Sequence, residues 1–164
     1  MTKRRRRSPR AERTAIAPAA SAESAVAGVR YIESTALVAA LLEHDAFVLK
    51  SLRAKTRSIT SALTFAEAGR AIARARVSGR LTPDAERAAV RALRRFERRC
   101  YVVAVTDDVL ARVRRPFPME PVRTLDAVHI ATAESLGEPP QLMSIVTRDT
   151  RVRENAKALG YSVE

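Results

Sequence analysis

The sequence predicts an α/β fold, a parallel sheet covered by helices on both faces. Short β-forming runs alternate with helical runs along most of the 164 residues. The runs Val102–Val105 and Met143–Val146 are short and almost continuously apolar, as strands are when both faces are covered. The composition is rich in Ala, Arg and Leu with only five glycines, which favours helices over an all-β protein. A hydrophobic share of 46% is enough for one packed interior. With 4% aromatic residues and no Trp, that interior must be built from Ala, Val, Leu and Ile.

Residues 1–28 differ from the rest, an Arg-rich run followed by an Ala/Ser/Pro/Glu stretch, and are expected to form a basic disordered tail. Residues 29–164 are expected to form the single domain. Val29–Glu33 is a strand, with Val29, Tyr31 and Ile32 as β-formers. Helices are predicted over Ala36–His44 and Ala46–Ala54, then a brief strand over Arg57–Thr60. Ser61 caps a long helix ending near Arg76, before Ser78-Gly79. Thr82-Pro83 opens the next helix, through Arg99, with Thr82 as N-cap and Pro83 at the first helical position. Cys100–Val105 reads as the strongest strand. Thr106 caps a helix to Arg114, and Asp107 and Asp108 suit the positive end of its dipole. After the proline-marked loop at Pro116, Pro118 and Pro121 come a helix (Thr124–Leu136), a strand (Leu142–Thr147), a helix (Thr150–Leu159) and a last strand (Tyr161–Val163).

Met1–Thr14 holds seven basic residues and one acidic one, half of the net charge of +12. The other half lies in the domain and points to a polyanionic partner, nucleic acid above all. Part of the Arg excess is discounted as a mark of a GC-rich genome. The single cysteine, Cys100, excludes an internal disulfide and a Cys-based zinc site, and suits the cytoplasm. No apolar stretch reaches the ~20 residues of a membrane span. No continuous apolar run follows the basic start, so a secretory signal is not expected.

Four carboxylates occupy suggestive places. Glu33 ends the first strand and Asp149 follows the Leu142–Thr147 strand by two residues, so both belong to the carboxyl edge of the sheet, where ligands bind in this architecture. Glu67 lies two turns into the Ser61 helix and Asp126 in the first turn of the Thr124 helix, both among apolar neighbours. Converging carboxylates repel one another and favour a divalent cation, with oxygen ligation suited to Mg²⁺ or Mn²⁺. Each also has a local explanation. Thr64–Glu67 matches a capping box, Asp126 suits a helix dipole, Asp149 is a candidate N-cap, and Glu33 can be solvated at a strand end. Spacing leaves both readings open.

The motifs resemble those of the PIN-domain nucleases, and within them the VapC-type toxins, over essentially Val29–Glu164. Arg30-Tyr31-Ile32-Glu33-Ser34-Thr35 resembles the family's opening strand and helix, where an acidic residue precedes Ser or Thr by two positions. Thr60–Glu67, Arg123–Ala131 and Ile145–Asp149 with Ala156–Gly160 resemble the later acidic motifs in order. The resemblance implies a PIN-domain fold, a three-layer α/β/α arrangement with a central parallel sheet sandwiched by helices. It implies a metal-dependent endoribonuclease acting on tRNA, rRNA or mRNA, with Mg²⁺ or Mn²⁺ held by Glu33, Glu67, Asp126 and Asp149, and Thr35 and Thr147 in support. It also implies a VapB-type antitoxin partner and a homodimer. Glu33 stands where the family usually has Asp, which moves the carboxylate outward by about 1.5 Å, one C–C bond. A non-catalytic nucleic-acid-binding module, its site weakened at Glu33, is therefore the alternative. Arg70, Arg148 and Arg151 are candidates for holding the RNA backbone. His129, Tyr31 and Phe65 are expected to serve packing rather than chemistry.

Overall fold

A computed structural model describes residues 28–54 and 56–164. The expected tail over 1–28 lies outside them apart from Gly28. In chain order the elements are β1 (Val29–Ile32), α1 (Ser34–Leu42), α2 (Ala46–Arg53), β2 (Arg57–Ser61), α3 (Ala62–Val77), α4 (Pro83–Glu97), β3 (Tyr101–Val103), α5 (Asp107–Val113), α6 (Thr124–Glu134), β4 (Met143–Val146), α7 (Thr150–Ala158) and β5 (Ser162–Val163), with a 3₁₀ turn at Pro140–Leu142.

The five strands form one parallel sheet in the order β3-β2-β1-β4-β5. From β1 the chain builds outward through β2 and β3, then crosses to build β4 and β5 on the other side. The order therefore reverses between β1 and β4, which pair with Ile32 opposite Val146. A crevice opens at the carboxyl ends of two such strands because their connections leave in opposite directions.

Alternation of side chains across the pleat sorts the core into two layers. Tyr31, Ile59 and Ile145 face Val109 of α5, Ile130 of α6 and Val152 of α7. Ile32 and Val146 face Leu37 of α1, Val48 of α2 and Ala68 of α3. The result is the expected three-layer α/β/α fold. The expected caps form: Ser61, Thr82 and Thr106 each accept a backbone N–H, from Leu63, Ala85 and Val109.

Two local expectations are corrected. Cys100–Val105 is not the strongest strand. Only Tyr101–Val103 pairs, and it pairs at the sheet edge, leaving Tyr101 and Val102 at 55% and 37% exposure. An apolar run reports β propensity, not whether a second neighbour exists. Thr64–Glu67 is not a capping box either. Helix α3 begins earlier, at Ala62, and the Thr64 hydroxyl instead accepts from Thr60 at 2.8 Å. Glu67 thus lies in the body of the helix, free of any cap. Among the described residues no helix is long and apolar enough to cross a membrane.

Candidate active site

Glu33 continues β1 in extended backbone (φ −83°, ψ 157°), its amide donating to the Val146 carbonyl at 3.0 Å. Its side chain then turns back as the N-cap of α1. Oε1 accepts from the Ser34 hydroxyl at 2.7 Å and the Thr35 amide at 3.0 Å. Oε2 accepts from the Thr35 hydroxyl and, at 2.8 Å, from the Thr147 hydroxyl. Glu33 is 1% exposed, and burial of a carboxylate is tolerable only with such donors. The same two hydroxyls accept from the turn after β4: the Arg148 amide donates to Thr35 at 2.9 Å and the Asp149 amide to Thr147 at 3.0 Å. Glu33 thereby ties the end of β1 to the end of β4. Asp149 caps α7, its Oδ1 accepting from the amides of Arg151 and Val152 at 2.7 and 3.1 Å.

Asp126 sits in the first turn of α6, whose N-cap Arg123 makes no side-chain cap. Among the described residues two buried side-chain oxygens lack a hydrogen bond, Asp126 Oδ2 and Glu134 Oε2. The latter lies 2.8 Å from the Arg112 guanidinium, so its charge is met. Asp126 Oδ2 has no such cation among the described residues. Burial, then the negative charges of Asp149 and Glu33, push its carboxyl above the usual range, against the weaker pull of Arg123 and His129.

Glu67 meets the opposite treatment. Its Oε2 lies 2.7 Å from His129 Nε2, and His129 Nδ1 lies 3.1 Å from the Tyr31 hydroxyl. Burial opposes ionisation of Glu67, but the His129 contact outweighs it, with smaller help from Ser34 and Arg74, and the carboxyl falls below its usual range. A cleft of about 340 Å³ opens beside this group, lined by Ser34, Thr35, Glu43, Glu67, Arg74 and Arg148 among others. Asp45 holds the Arg148 guanidinium in two contacts of 2.8 and 3.0 Å, and its carboxyl is lowered to about 2, chiefly by that hydrogen bond. A larger groove of about 410 Å³ lies among α1, α2 and α4, but no carboxylate lines it.

The structure therefore couples Asp126 to Asp149 and Glu33, and joins Glu67 to α6 through His129. These are neighbours rather than a closed shell: among the described residues no three Asp, Glu, His or Cys side chains form a metal-holding group. Thr35 and Thr147 both donate to Glu33. Of the three candidate arginines, Arg148 lines the cleft and Arg70 and Arg151 do not, while Arg74 does. Arg74 was detectable by its helical spacing, two turns after Glu67 on α3. Phe65 packs against Phe96, ring centres 6.2 Å apart, as expected of a packing residue. His129 and Tyr31 are buried as expected, but their polar atoms join the site.

The PIN domain family model matches residues 30–158. The chain belongs to the PIN-domain family. Ribonuclease VapC35 of Mycobacterium tuberculosis is 36% identical over 137 residues, covering 81% of this chain and 93% of the relative. Ribonuclease VapC46 of the same organism is 36% identical over 135 residues, covering 81% and 94%. Among solved structures, VapBC2 from Rickettsia felis, bound to a DNA fragment from its promoter, shares the fold with a TM-score of 0.57 at 13% identity, covering 83% of this chain and 97% of that one. The PIN-domain sheet thus carries Glu33 and Asp149 at its switch point, with Asp126 and Glu67 brought in by helices from either layer.

Proposed function

We propose that this PIN-domain protein is a metal-dependent endoribonuclease of the VapC toxin kind, hydrolysing RNA phosphodiester bonds until a VapB-type antitoxin restrains it. The names of the two ribonuclease relatives support the RNA substrate, and the VapBC fold neighbour supports the antitoxin. Within the molecule one observation carries the proposal: Asp126 holds a buried oxygen with no partner among the described residues, pressed by two neighbouring carboxylates. A cation relieves such a cluster. The donors are all hard oxygens, which fit Mg²⁺ or Mn²⁺. Asp126, Asp149 and Glu67 would hold it. Glu33 would add its charge, and would become a ligand by giving up a hydroxyl. When bound, the ion activates water and neutralises charge on the phosphate.

The chain's own groups do the rest. Thr35 and Thr147 brace Glu33, so the end of β1 and the turn before Asp149 keep their spacing. Arg74 and Arg148 line the adjoining cleft and attract an RNA backbone, Arg148 being held in place by Asp45. The same proposal places the protein in the cytoplasm as a homodimer, acting on tRNA, rRNA or mRNA.

One observation favours a second reading, nucleic-acid binding without catalysis: both Glu33 oxygens are already engaged. The two separate cleanly. A nuclease cuts RNA with Mg²⁺ or Mn²⁺, stops in EDTA, and loses at least ~100-fold in rate in a folded Asp126→Asn variant. A binding module retains RNA equally with EDTA or metal and never cuts it.

A further inference from the structure

We propose that Tyr31 and His129 are positioning residues, a buried pair that fixes the Glu67 carboxylate at the site. This rests on Glu67 belonging to the proposed metal site. Both side chains are 1% exposed. An apolar pair would fill this space without burying polar atoms, so packing alone does not explain a phenol and an imidazole. The ring is held at both nitrogens, Nδ1 by the Tyr31 hydroxyl at 3.1 Å and Nε2 by Glu67 Oε2 at 2.7 Å. Glu33 Oε1 stands 3.9 Å from the same Nε2, beyond hydrogen-bonding distance, so among the described residues Glu67 is the hydrogen-bond partner there.

The direction of each bond follows. A carboxylate only accepts, so Nε2 carries the ring proton that donates to Glu67; in the neutral ring Nδ1 is then bare and accepts from the Tyr31 hydroxyl. Glu67 is fixed through Oε2 and keeps Oε1 for other partners. The pair also connects the three elements that bring the carboxylates together. Tyr31 lies on β1 two residues before Glu33, His129 on α6 three residues after Asp126, and Glu67 on α3. A ligand whose outer hydrogen bond is removed typically loses about 10–100-fold in metal affinity.

The test uses the full chain and Mn²⁺ alone. Calorimetric titration should show binding weakened about tenfold or more in His129→Leu. His129→Gln, whose amide can donate near the Nε2 position, should retain most of the affinity. Tyr31→Phe, which keeps the shape, should fall between. Adding Glu67→Gln to His129→Leu should weaken binding no further than Glu67→Gln does alone. Nitrogen NMR of the histidine-labelled protein in EDTA gives a readout that needs no metal. It should show His129 protonated at Nε2 and bare at Nδ1, with the Nε2 signal moving in Glu67→Gln and the Nδ1 signal in Tyr31→Phe.

A folded His129→Leu binding Mn²⁺ as tightly as the wild type overturns the proposal. So does a ring bare at Nε2, and an Nδ1 signal that does not move in Tyr31→Phe removes Tyr31 from the pair. If the wild type binds no Mn²⁺, the metal-site reading itself fails. The NMR shifts then decide alone whether the pair holds Glu67.

Discussion

Glu33 and Asp126 lie within electrostatic reach of each other at one edge of the sheet, yet the chain treats them in opposite ways. Glu33 accepts from three hydroxyls and one amide that fold around it. Asp126 has a buried oxygen that accepts from nothing among the described residues. Under the proposed function, the difference separates scaffold from reaction site. Glu33 is satisfied as soon as β1, α1 and β4 assemble, and it stabilises that junction. Asp126 is left electrostatically strained, so the fold carries a cost there that a cation can offset. A binding site differs from a cap in leaving an acceptor without a donor.

Glu33→Ala should have the largest effect on stability. It strands buried hydroxyls and the Thr35 amide and removes the α1 cap, an expected loss of about 3 kcal/mol in urea unfolding. An unchanged midpoint would mean that Glu33 is not the scaffold half. Glu33→Asp sharpens the comparison. The shorter arm cannot reach the donors on both sides, so the expected loss is about 1 kcal/mol, with the freed carboxylate binding Mn²⁺ more tightly than the wild type.

The pH dependence of the metal-free protein should show the two treatments as opposite signs. Glu67 has a lowered carboxyl, so its contribution is present above its unfolded value of ~4.3 and is lost as pH falls through its folded value. Melting curves of wild type and His129→Leu should therefore converge in acid. Asp126 has a raised carboxyl, so its contribution is complete below its unfolded value of ~3.9 and is lost as pH rises through the folded one. Asp126→Asn should then melt higher than the wild type at neutral pH, on the order of 1–3 °C after solvent screening, with the gap closing in acid. This is the smallest effect, and the one least compatible with an ordinary structural aspartate.

Much of this site is legible in the sequence because strand ends and helix caps are local. Glu33 follows a β-forming run and Asp149 precedes a helix, so both fall at the sheet edge by chain order alone. The Thr35 hydroxyl reaching back to Glu33 is also a local contact. What is hidden depends on distant partners. The His129 ring is satisfied by residues 62 and 98 positions away, which no helical period reveals. The double engagement of Glu33 needs Thr147, 114 positions on. The edge position of β3 was hidden for the same reason, since its exposure depends on a neighbour the sheet does not supply.

The central claim is that Asp126 is strained in order to receive a cation. Its most direct test is a thermal melt of wild type and Asp126→Asn, each with EDTA and with Mn²⁺ at about 100 times the wild-type dissociation constant. The wild type should gain about 2.7 kcal/mol from the metal. Asp126→Asn should start higher in EDTA and gain little. Equal gains in both proteins, or a variant that melts lower without metal, would contradict the account.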